Sequence, residues 1–264
     1  MRDVLIQAGQ LDIPVLCHCE DTSMVEGRAV NEGSVSRQLW LEGRPAIAEG
    51  AGGDARGLLA EETGARVHIC HISTAKAVDI VRRMKEHGVP VTCETCPQYF
   101  TLTEDEILTQ APWPGQSPRC VPPRTSRHHH RPEGRHHRCH RHRPRSPLRR
   151  GEVPSPHPAP SGMVGLETSL AITLTELYHT GKMKLPEIIK RMTYTPASIL
   201  HLSSKGRLSL GSDADITIFD PEEVWTIDPE QFASKARNTP FAGREVKGKV
   251  KYTIVGGNVI YQDR

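Results

Sequence analysis

The sequence predicts a parallel α/β body followed by a small unit of β-strands. Up to Thr103, short apolar runs of strand length alternate with longer segments in which apolar residues recur at helical spacing. Strands that alternate with helices in this way build parallel sheets. Beyond residue 203 the pattern changes to short strand-like runs with glycine-containing turns between them, which predicts an appended β unit.

Three helices and three strands account for most of the first part. The predicted helices are residues 1–9, 46–63 and 74–86, and the predicted strands are 13–17, 66–70 and 89–93. A loop runs through residues 31–33, and residues 103–106 have the spacing of a capping box that opens a short helix. Gly50, Gly52 and Gly53 weaken the prediction of the second helix, since each costs about 1 kcal/mol relative to alanine in a helix interior.

The last hundred residues predict helices first and strands afterwards. The predicted helices are 165–178, 186–192 and 196–202, and the predicted strands are 206–208, 214–219, 250–255 and 258–261. Gly256 and Gly257 stand between the last two strands and predict a hairpin, because tight hairpin turns need residues that adopt positive φ angles.

Between these two parts, residues from about 111 to 158 look like coding sequence translated in a shifted frame. The stretch 124–153 is dense in histidine, arginine and proline and nearly devoid of aliphatic residues, so no packed element is expected from it. When each codon is re-read from its second base, residues 129–152 permit an apolar start, a glycine turn and an apolar strand that ends in Thr-Asp-His-Ala-Pro-His. We expect the printed segment to be disordered.

The alternative is a genuine basic, histidine-rich disordered segment that binds nucleic acid or metal. Such segments usually stand at a terminus, whereas this one interrupts a globular sequence. The net charge of +3 at pH 7 depends largely on its arginines. Outside it the charges are close to balanced, which argues against a nucleic-acid partner.

The cysteine content and the hydropathy of the sequence indicate the kind of compartment in which the protein works. The seven cysteines are odd in number and form no repeating framework, which favours a reducing, cytoplasmic setting over a disulfide scaffold. Cys93 and Cys96 form a weak zinc pattern, and two small buried residues at a strand end are the better interpretation. No apolar run is long enough to span a membrane. Met1 falls inside the first predicted helix without an N-cap before it, so we expect a further part of the protein upstream.

Two histidines directly follow apolar strand runs, His18 after residues 13–17 and His71 after residues 66–70. The carboxyl ends of parallel strands form the active-site face of α/β folds, above all of (β/α)8 barrels. Two neutral imidazoles from different strands can converge there on one cation, typically zinc. The sequence therefore predicts a metal site at His18 and His71, with the aspartate of the re-read Thr-Asp-His as a further ligand or proton-transfer group.

Neighbouring ionisable residues have other interpretations. Either histidine alone is more often a core residue bonded to backbone, and only their joint placement favours a metal. His68 stands an odd number of residues before His71, so it points to the other face of the strand and is interpreted as structural. Glu20 and Asp21 either orient His18 or begin a solvated loop, and the sequence leaves both open.

These residues and several longer motifs resemble the dihydroorotases of the amidohydrolase superfamily, of the larger-barrel bacterial type. The matching segments are residues 17–21 (CHCED), 68–74 (HICHIST), 94–100 (ETCPQYF), 165–168 (GLET), 211–215 (GSDAD) and 234–241 (SKARNTPF). The re-read Thr-Asp-His-Ala-Pro-His matches the family as well. The resemblance implies a partial (β/α)8 TIM-like barrel of the metal-dependent amidohydrolase type over residues 1–203, and a small C-terminal β-sandwich portion over residues 204–264.

The resemblance also implies a ligand set. His18 and His71 correspond to ligands of the second of the family's two zinc ions. The first zinc's His-x-His ligands and an acidic or carbamylated bridging residue are expected upstream of Met1. The catalytic aspartate is not among the printed residues, so no catalytic residue is assigned, and the substrate loop survives only as the distorted residues 121–125. At most one weakly held zinc is implied for this chain.

The implied reaction interconverts (S)-dihydroorotate and N-carbamoyl-L-aspartate in de novo pyrimidine biosynthesis. A hydantoinase- or allantoinase-like cyclic amidohydrolase is one alternative, because residues 96–99 (CPQY) also occur in hydantoinase-like relatives. A non-catalytic homologue is another. The implied partners are the small-molecule substrate and either a second copy in a homodimer or another pyrimidine-pathway enzyme. We expect the printed chain itself to be inactive.

Overall fold

The computed structural model describes residues 1–26, 28, 30–109 and 162–263. The apparently frame-shifted segment at about 111–158, its expected disorder and the distorted loop 121–125 lie outside these residues. Among the described residues, no helix combines the length and the apolar character needed to cross a membrane.

The first part alternates helices and strands as predicted. Its elements are α1 (Arg2–Gln10), β1 (Val15–Cys17), β2 (Val30–Asn31), α2 (Ser34–Gln38), β3 (Gly43–Arg44), α3 (Ile47–Thr63), β4 (Val67–Ile69), α4 (Ala75–Glu86), β5 (Val91–Cys93), α5 (Pro97–Thr101) and α6 (Glu106–Thr109). The second part contains α7 (Ser169–Thr173), a π-helical turn (Leu174–Tyr178), α8 (Leu185–Met192), α9 (Tyr194–Ile199), β6 (Ile216–Thr226), β7 (Glu245–Val255) and β8 (Asn258–Gln262).

A parallel sheet of order β1-β4-β5 is the centre of the first part. One of its faces carries Val67 and Ile69, which share a buried cluster with residues of α1, α3 and α4. The opposite face carries a row formed by Leu16, His68 and Thr92, which are register partners. Because all three strands run the same way, the residues that follow them lie at one edge of the sheet.

The glycines of α3 explain why a helix forms where propensity is weak. A Cβ atom on Gly52 would lie 2.9 Å from the backbone nitrogen of Glu20 and 3.0 Å from the carbonyl carbon of Cys19. The helix therefore packs with its backbone directly against the segment that follows β1. Burial against that segment outweighs the propensity cost of the glycines.

The second part ends in an antiparallel sheet of order β6-β7-β8. The predicted hairpin is confirmed, since Gly256 and Gly257 have φ angles of 54° and 82° between β7 and β8, as a type I′ turn requires. The described residues place one sheet here, so the second layer of the expected β-sandwich is not among them.

Three local predictions were wrong. Residues 206–208 form no strand, because Gly206 has a φ of +72° and lies against the Thr193 carbonyl, while Leu208 is exposed. Residues 31–33 are not purely loop, since β2 pairs in parallel with β3. The helix expected directly after Thr103 begins at Glu106, and the Thr103 hydroxyl donates to the Asp105 carboxylate instead (3.1 Å).

Candidate functional site

The side chains of His18 and His71 meet at the carboxyl edge of the parallel sheet. His18 directly follows β1, and His71 follows β4 after Cys70, whose amide donates to the Cys17 carbonyl (2.9 Å) and extends the pairing of the two strands. The distance from His18 Nδ1 to His71 Nε2 is 3.0 Å, and the ring centroids are 4.8 Å apart. The topology thus brings together two imidazoles that are 53 residues apart in sequence.

Glu20 lies beside the His18 ring. Its Oε2 lies 3.8 Å from His18 Nε2, and its Oε1 accepts a hydrogen bond from Arg44 Nη1 at 3.1 Å. The interaction with Glu20 raises the pKa of His18 against the opposing effect of burial, and the interaction with His18 lowers the pKa of Glu20. With Nε2 directed at a carboxylate, His18 Nδ1 is the nitrogen that faces His71.

Asp21 caps a turn and, unlike its neighbour Glu20, does not pair with His18. Its carboxylate accepts hydrogen bonds from the amide of Ser23 (3.0 Å) and from the Ser23 hydroxyl (2.6 Å), and so caps the short turn Thr22–Met24. Of the two acidic residues that the sequence left open, Glu20 contacts His18, and Asp21 begins the loop. The cap still helps the site, because it fixes the direction in which the chain leaves His18.

Glu49 of α3 holds the turn that carries His71. Its carboxylate accepts four hydrogen bonds, from the amides of Ser73 and Thr74 (both 2.8 Å) and from the hydroxyls of Ser73 (3.0 Å) and Thr74 (2.5 Å). His71 has a φ of +44°, a conformation that costs a non-glycine residue roughly 1–3 kcal/mol and persists only where the surroundings impose it. Two sets of hydrogen bonds impose this conformation. They are the four that Glu49 accepts and the one that the Ile72 amide donates to the Glu94 carbonyl (2.8 Å).

Sequence reasoning missed Glu49. Burial raises the pKa of this carboxyl group, while the hydrogen bonds from Thr74 and Ser73 act in the opposite direction. An acidic residue in the first turn of a helix is ordinary, so nothing in the local pattern marked it. The signal is its partner sequence, Ser73-Thr74, which offers four donors in two residues.

The residues interpreted as structural are buried as expected. His68 is 1% exposed; its Nδ1 lies 2.7 Å from the Thr92 hydroxyl, and its Nε2 lies 3.4 Å from the Glu94 carboxylate. Cys93 ends β5 and Cys96 precedes α5, and both side chains are buried. This confirms their interpretation as small core residues.

The donor set at His18 and His71 fits part of a zinc site. Zn–N bonds of about 2.0–2.1 Å place two tetrahedral ligand atoms roughly 3.3 Å apart, close to the 3.0 Å between the two imidazole nitrogens. Both nitrogens are neutral acceptors once the other ring nitrogen carries the proton. Catalytic zinc sites use three protein ligands, and the described residues bring two imidazoles to this point.

Comparison with solved structures establishes the fold first. L-hydantoinase from Arthrobacter aurescens matches with a TM-score of 0.78 at 23% identity, over 99% of this chain and 60% of that one. D-hydantoinase from a Thermus species matches with a TM-score of 0.78 at 21% identity, over the same shares. At these identities the likeness concerns the fold alone, which is that of part of an α/β barrel with a C-terminal sheet.

Sequence comparison then indicates which family of proteins the chain resembles. Residues 1–77 match the dihydro-orotase-like family and residues 149–261 match the amidohydrolase family. The chain is 41% identical over 280 residues to a dihydroorotase of Pelotomaculum thermopropionicum and 39% identical over 280 residues to one of Aquifex aeolicus; each alignment covers 100% of this chain and 62% of the relative. The chain is thus similar to dihydroorotases along its whole length, and it spans about 62% of the length of these relatives.

Proposed function

We propose that this protein is a cyclic-amide hydrolase of the dihydroorotase type, which interconverts dihydroorotate and N-carbamoyl-aspartate with the help of zinc. The observation that carries the proposal is the 3.0 Å approach of His18 Nδ1 to His71 Nε2 at the carboxyl edge of β1 and β4. It occurs in a chain that is 41% identical to a relative named dihydroorotase. Substrates in related barrels bind at this edge.

The chain's own residues would hold and orient one ion. His18 would bind through Nδ1 and His71 through Nε2, with Glu20 beside the His18 ring and Glu49 holding the turn that carries His71. A zinc ion held there would lower the pKa of a bound water to about 7 and polarise the amide carbonyl. In the re-read frame, the aspartate of Thr-Asp-His would be the group that transfers a proton to the leaving nitrogen.

A hydantoinase-like activity is the second candidate. The observation that favours it is the segment 96–99 (CPQY), whose Pro97 and Gln98 begin α5 just beyond the end of β5. Both reactions open a cyclic amide ring, so the same histidines serve either substrate. Relative rates with dihydroorotate and with a hydantoin, measured on one preparation, separate the two candidates.

We also propose a cytoplasmic enzyme that acts on a small molecule and assembles as a homodimer or with another enzyme of the pathway. In the described part of the chain, five buried cysteines form no disulfide bond: Cys17, Cys19, Cys70, Cys93 and Cys96. Buried cysteines without disulfide bonds support a reducing compartment. Size-exclusion chromatography with light scattering tests the homodimer.

The test of the proposed function compares two proteins. The 264-residue chain as printed should show no dihydroorotate hydrolysis with added zinc, because two imidazoles are fewer ligands than a catalytic zinc needs. A gene repaired between residues 111 and 158 and extended to the length of the relatives should be active.

In the repaired protein, His71→Asn should lower kcat/KM by at least about 100-fold, since even partners of ligands cost 10–100-fold. His87→Asn is the matched control, because His87 is exposed at the end of α4, and it should keep full activity. Hydrolysis by the printed chain, or full activity of His71→Asn, would show that the assignment of the site is wrong.

A further inference from the structure

A second group of possible metal ligands is buried at the carboxyl ends of β4 and β5. His68 on β4, Cys70 just after β4 and Glu94 just after β5 each offer one ligand atom, and these atoms lie within 4.8 Å of one another. Their exposed fractions are 1%, 8% and 0%. The group belongs to the sheet interior and shares no residue with the His18–His71 pair.

The ring of His68 is held in an orientation that suits metal binding through Nε2. Its Nδ1 is engaged by the Thr92 hydroxyl at 2.7 Å, which leaves Nε2 directed at Glu94 Oε2, 3.4 Å away. Metal-binding histidines are held in the same way, with the second ring nitrogen bonded to a neighbouring oxygen. Ligand atoms around a tetrahedral zinc ion are roughly 3.3–3.8 Å apart, so the distance from His68 to Glu94 already matches one edge.

The charges of the group match a divalent cation. A thiolate, a carboxylate and a neutral imidazole carry two negative charges in total, which a divalent ion neutralises. A buried carboxylate is costly unless it is paired or bound to a metal. A nitrogen, a sulfur and an oxygen donor suit zinc and its thiophilic analogue cadmium better than calcium or magnesium, which take oxygen ligands.

We propose that His68, Cys70 and Glu94 form a buried site for a thiophilic divalent cation, separate from the pair His18 and His71. The Cys70 thiol loses its proton to water as the metal–sulfur bond forms. The ion ties the end of β4 to the end of β5. Because Cys70 is adjacent to His71 in the chain, occupancy also restrains the turn that presents His71.

The test uses the 264-residue chain, stripped with a chelator and titrated with Co²⁺. A sulfur-to-cobalt charge-transfer band should appear and saturate at one equivalent. The band should vanish in Cys70→Ser and persist in His71→Asn, which removes the other site. Cys93→Ser is the matched control, since Cys93 is a buried thiol whose side chain packs in the cluster shared with the helices, and its band should be unchanged.

A second measurement on the unmodified chain covers the case in which Cys70→Ser does not fold. X-ray absorption of the zinc-loaded protein should show one sulfur at about 2.3 Å together with nitrogen and oxygen ligands. A spectrum with nitrogen and oxygen ligands alone, or a cobalt band that survives in a folded Cys70→Ser protein, would overturn the proposal. Neither result would affect the proposed activity, which depends on His18 and His71.

Discussion

The two sheets of this molecule differ in how far their ionisable side chains are exposed to water. The β1-β4-β5 sheet has strands of three residues, and His68, Glu94 and most of Glu49 are removed from water in or beside it. The β6-β7-β8 sheet has two strands of eleven residues, and its lysines and carboxylates pair at the surface. The same residue types are therefore under very different constraints.

This difference shows where function is built. Each buried polar group in the parallel sheet needs a specific partner, because an unmet hydrogen bond there costs roughly 1–3 kcal/mol. Surface pairs such as Lys251–Asp263 can exchange partners with water at little cost. The strand ends of the parallel sheet are thus the place where side-chain positions are fixed well enough for chemistry, whereas the antiparallel sheet is stabilised mainly by strand pairing.

The largest effect is expected for Glu49→Ala. The change removes the acceptor of four hydrogen bonds and leaves the Ser73 and Thr74 amides without it, so the free energy of unfolding should fall by about 2–4 kcal/mol. Affinity for Co²⁺ at His71 should fall by about 10–100-fold. Chemical denaturation and metal titration measure the two effects.

Glu61→Ala is the matched control for this prediction, because Glu61 is an exposed residue of the same helix. It should change the free energy of unfolding by no more than about 0.5 kcal/mol. Glu49→Gln, which keeps the shape and one acceptor oxygen, should recover part of the metal affinity. If Glu49→Ala and Glu61→Ala lower the free energy of unfolding equally, the buried hydrogen bonds of Glu49 do not stabilise the protein more than an exposed carboxylate does.

An intermediate effect is expected for Gly52→Ala. The new methyl group would stand 2.9 Å from the Glu20 amide nitrogen, and neither backbone can yield easily. Overpacking of this kind costs about 1–3 kcal/mol, and it should also displace His18, whose neighbours form the contact. Thermal denaturation and metal titration should both respond.

The adjacent Gly53 provides the control for Gly52. A Cβ atom there would meet only the Ile69 Cδ1 atom, at 3.8 Å, which is an ordinary contact. Gly53→Ala should therefore raise stability by about 0.5–1 kcal/mol through helix propensity. If Gly52→Ala is equally stabilising, then α3 does not pack against the end of β1 as closely as described.

The smallest effect is expected in the antiparallel sheet, for Lys251→Met. Lys251 Nζ lies 2.7 Å from Asp263 Oδ2 and 2.6 Å from Glu223 Oε2 at the surface, and salt screens such pairs. The thermal midpoint should fall slightly in low salt and not at all in high salt. A salt-independent loss as large as that of Glu49→Ala would contradict the comparison of the two sheets.

The ion pair of Lys251 with Asp263 should make the stability of the protein depend on pH, because it lowers the pKa of Asp263. Lys251 and then Lys249 lower the pKa of Asp263 below its ordinary value of 3.8. A carboxylate whose pKa is lower in the folded state contributes stability above its unfolded pKa and loses it as the pH falls through the folded value. Lys251→Met should therefore flatten the decline of the thermal midpoint below about pH 4.

Local patterns in the sequence by themselves determined the three long helices and the three parallel strands of the first part, and the hairpin at Gly256 and Gly257. They also placed His18 and His71 at strand ends, because apolar periodicity and strand length are visible within a few residues. Together with the family motifs, this was enough to name the two histidines as one candidate site. The metal-binding role of that site stays a prediction.

Only the tertiary structure decided which polar residues support the site. The contact of Glu49 with Ser73 spans 24 residues, and that of Arg44 with Glu20 depends on β3, two residues of no recognisable strand pattern. Gly52 looked like a defect in a helix and is a point of close packing. Hydrogen bonds and packing between distant segments leave no periodic trace in the sequence, because any small or polar residue fits the local pattern until the fold supplies its partner.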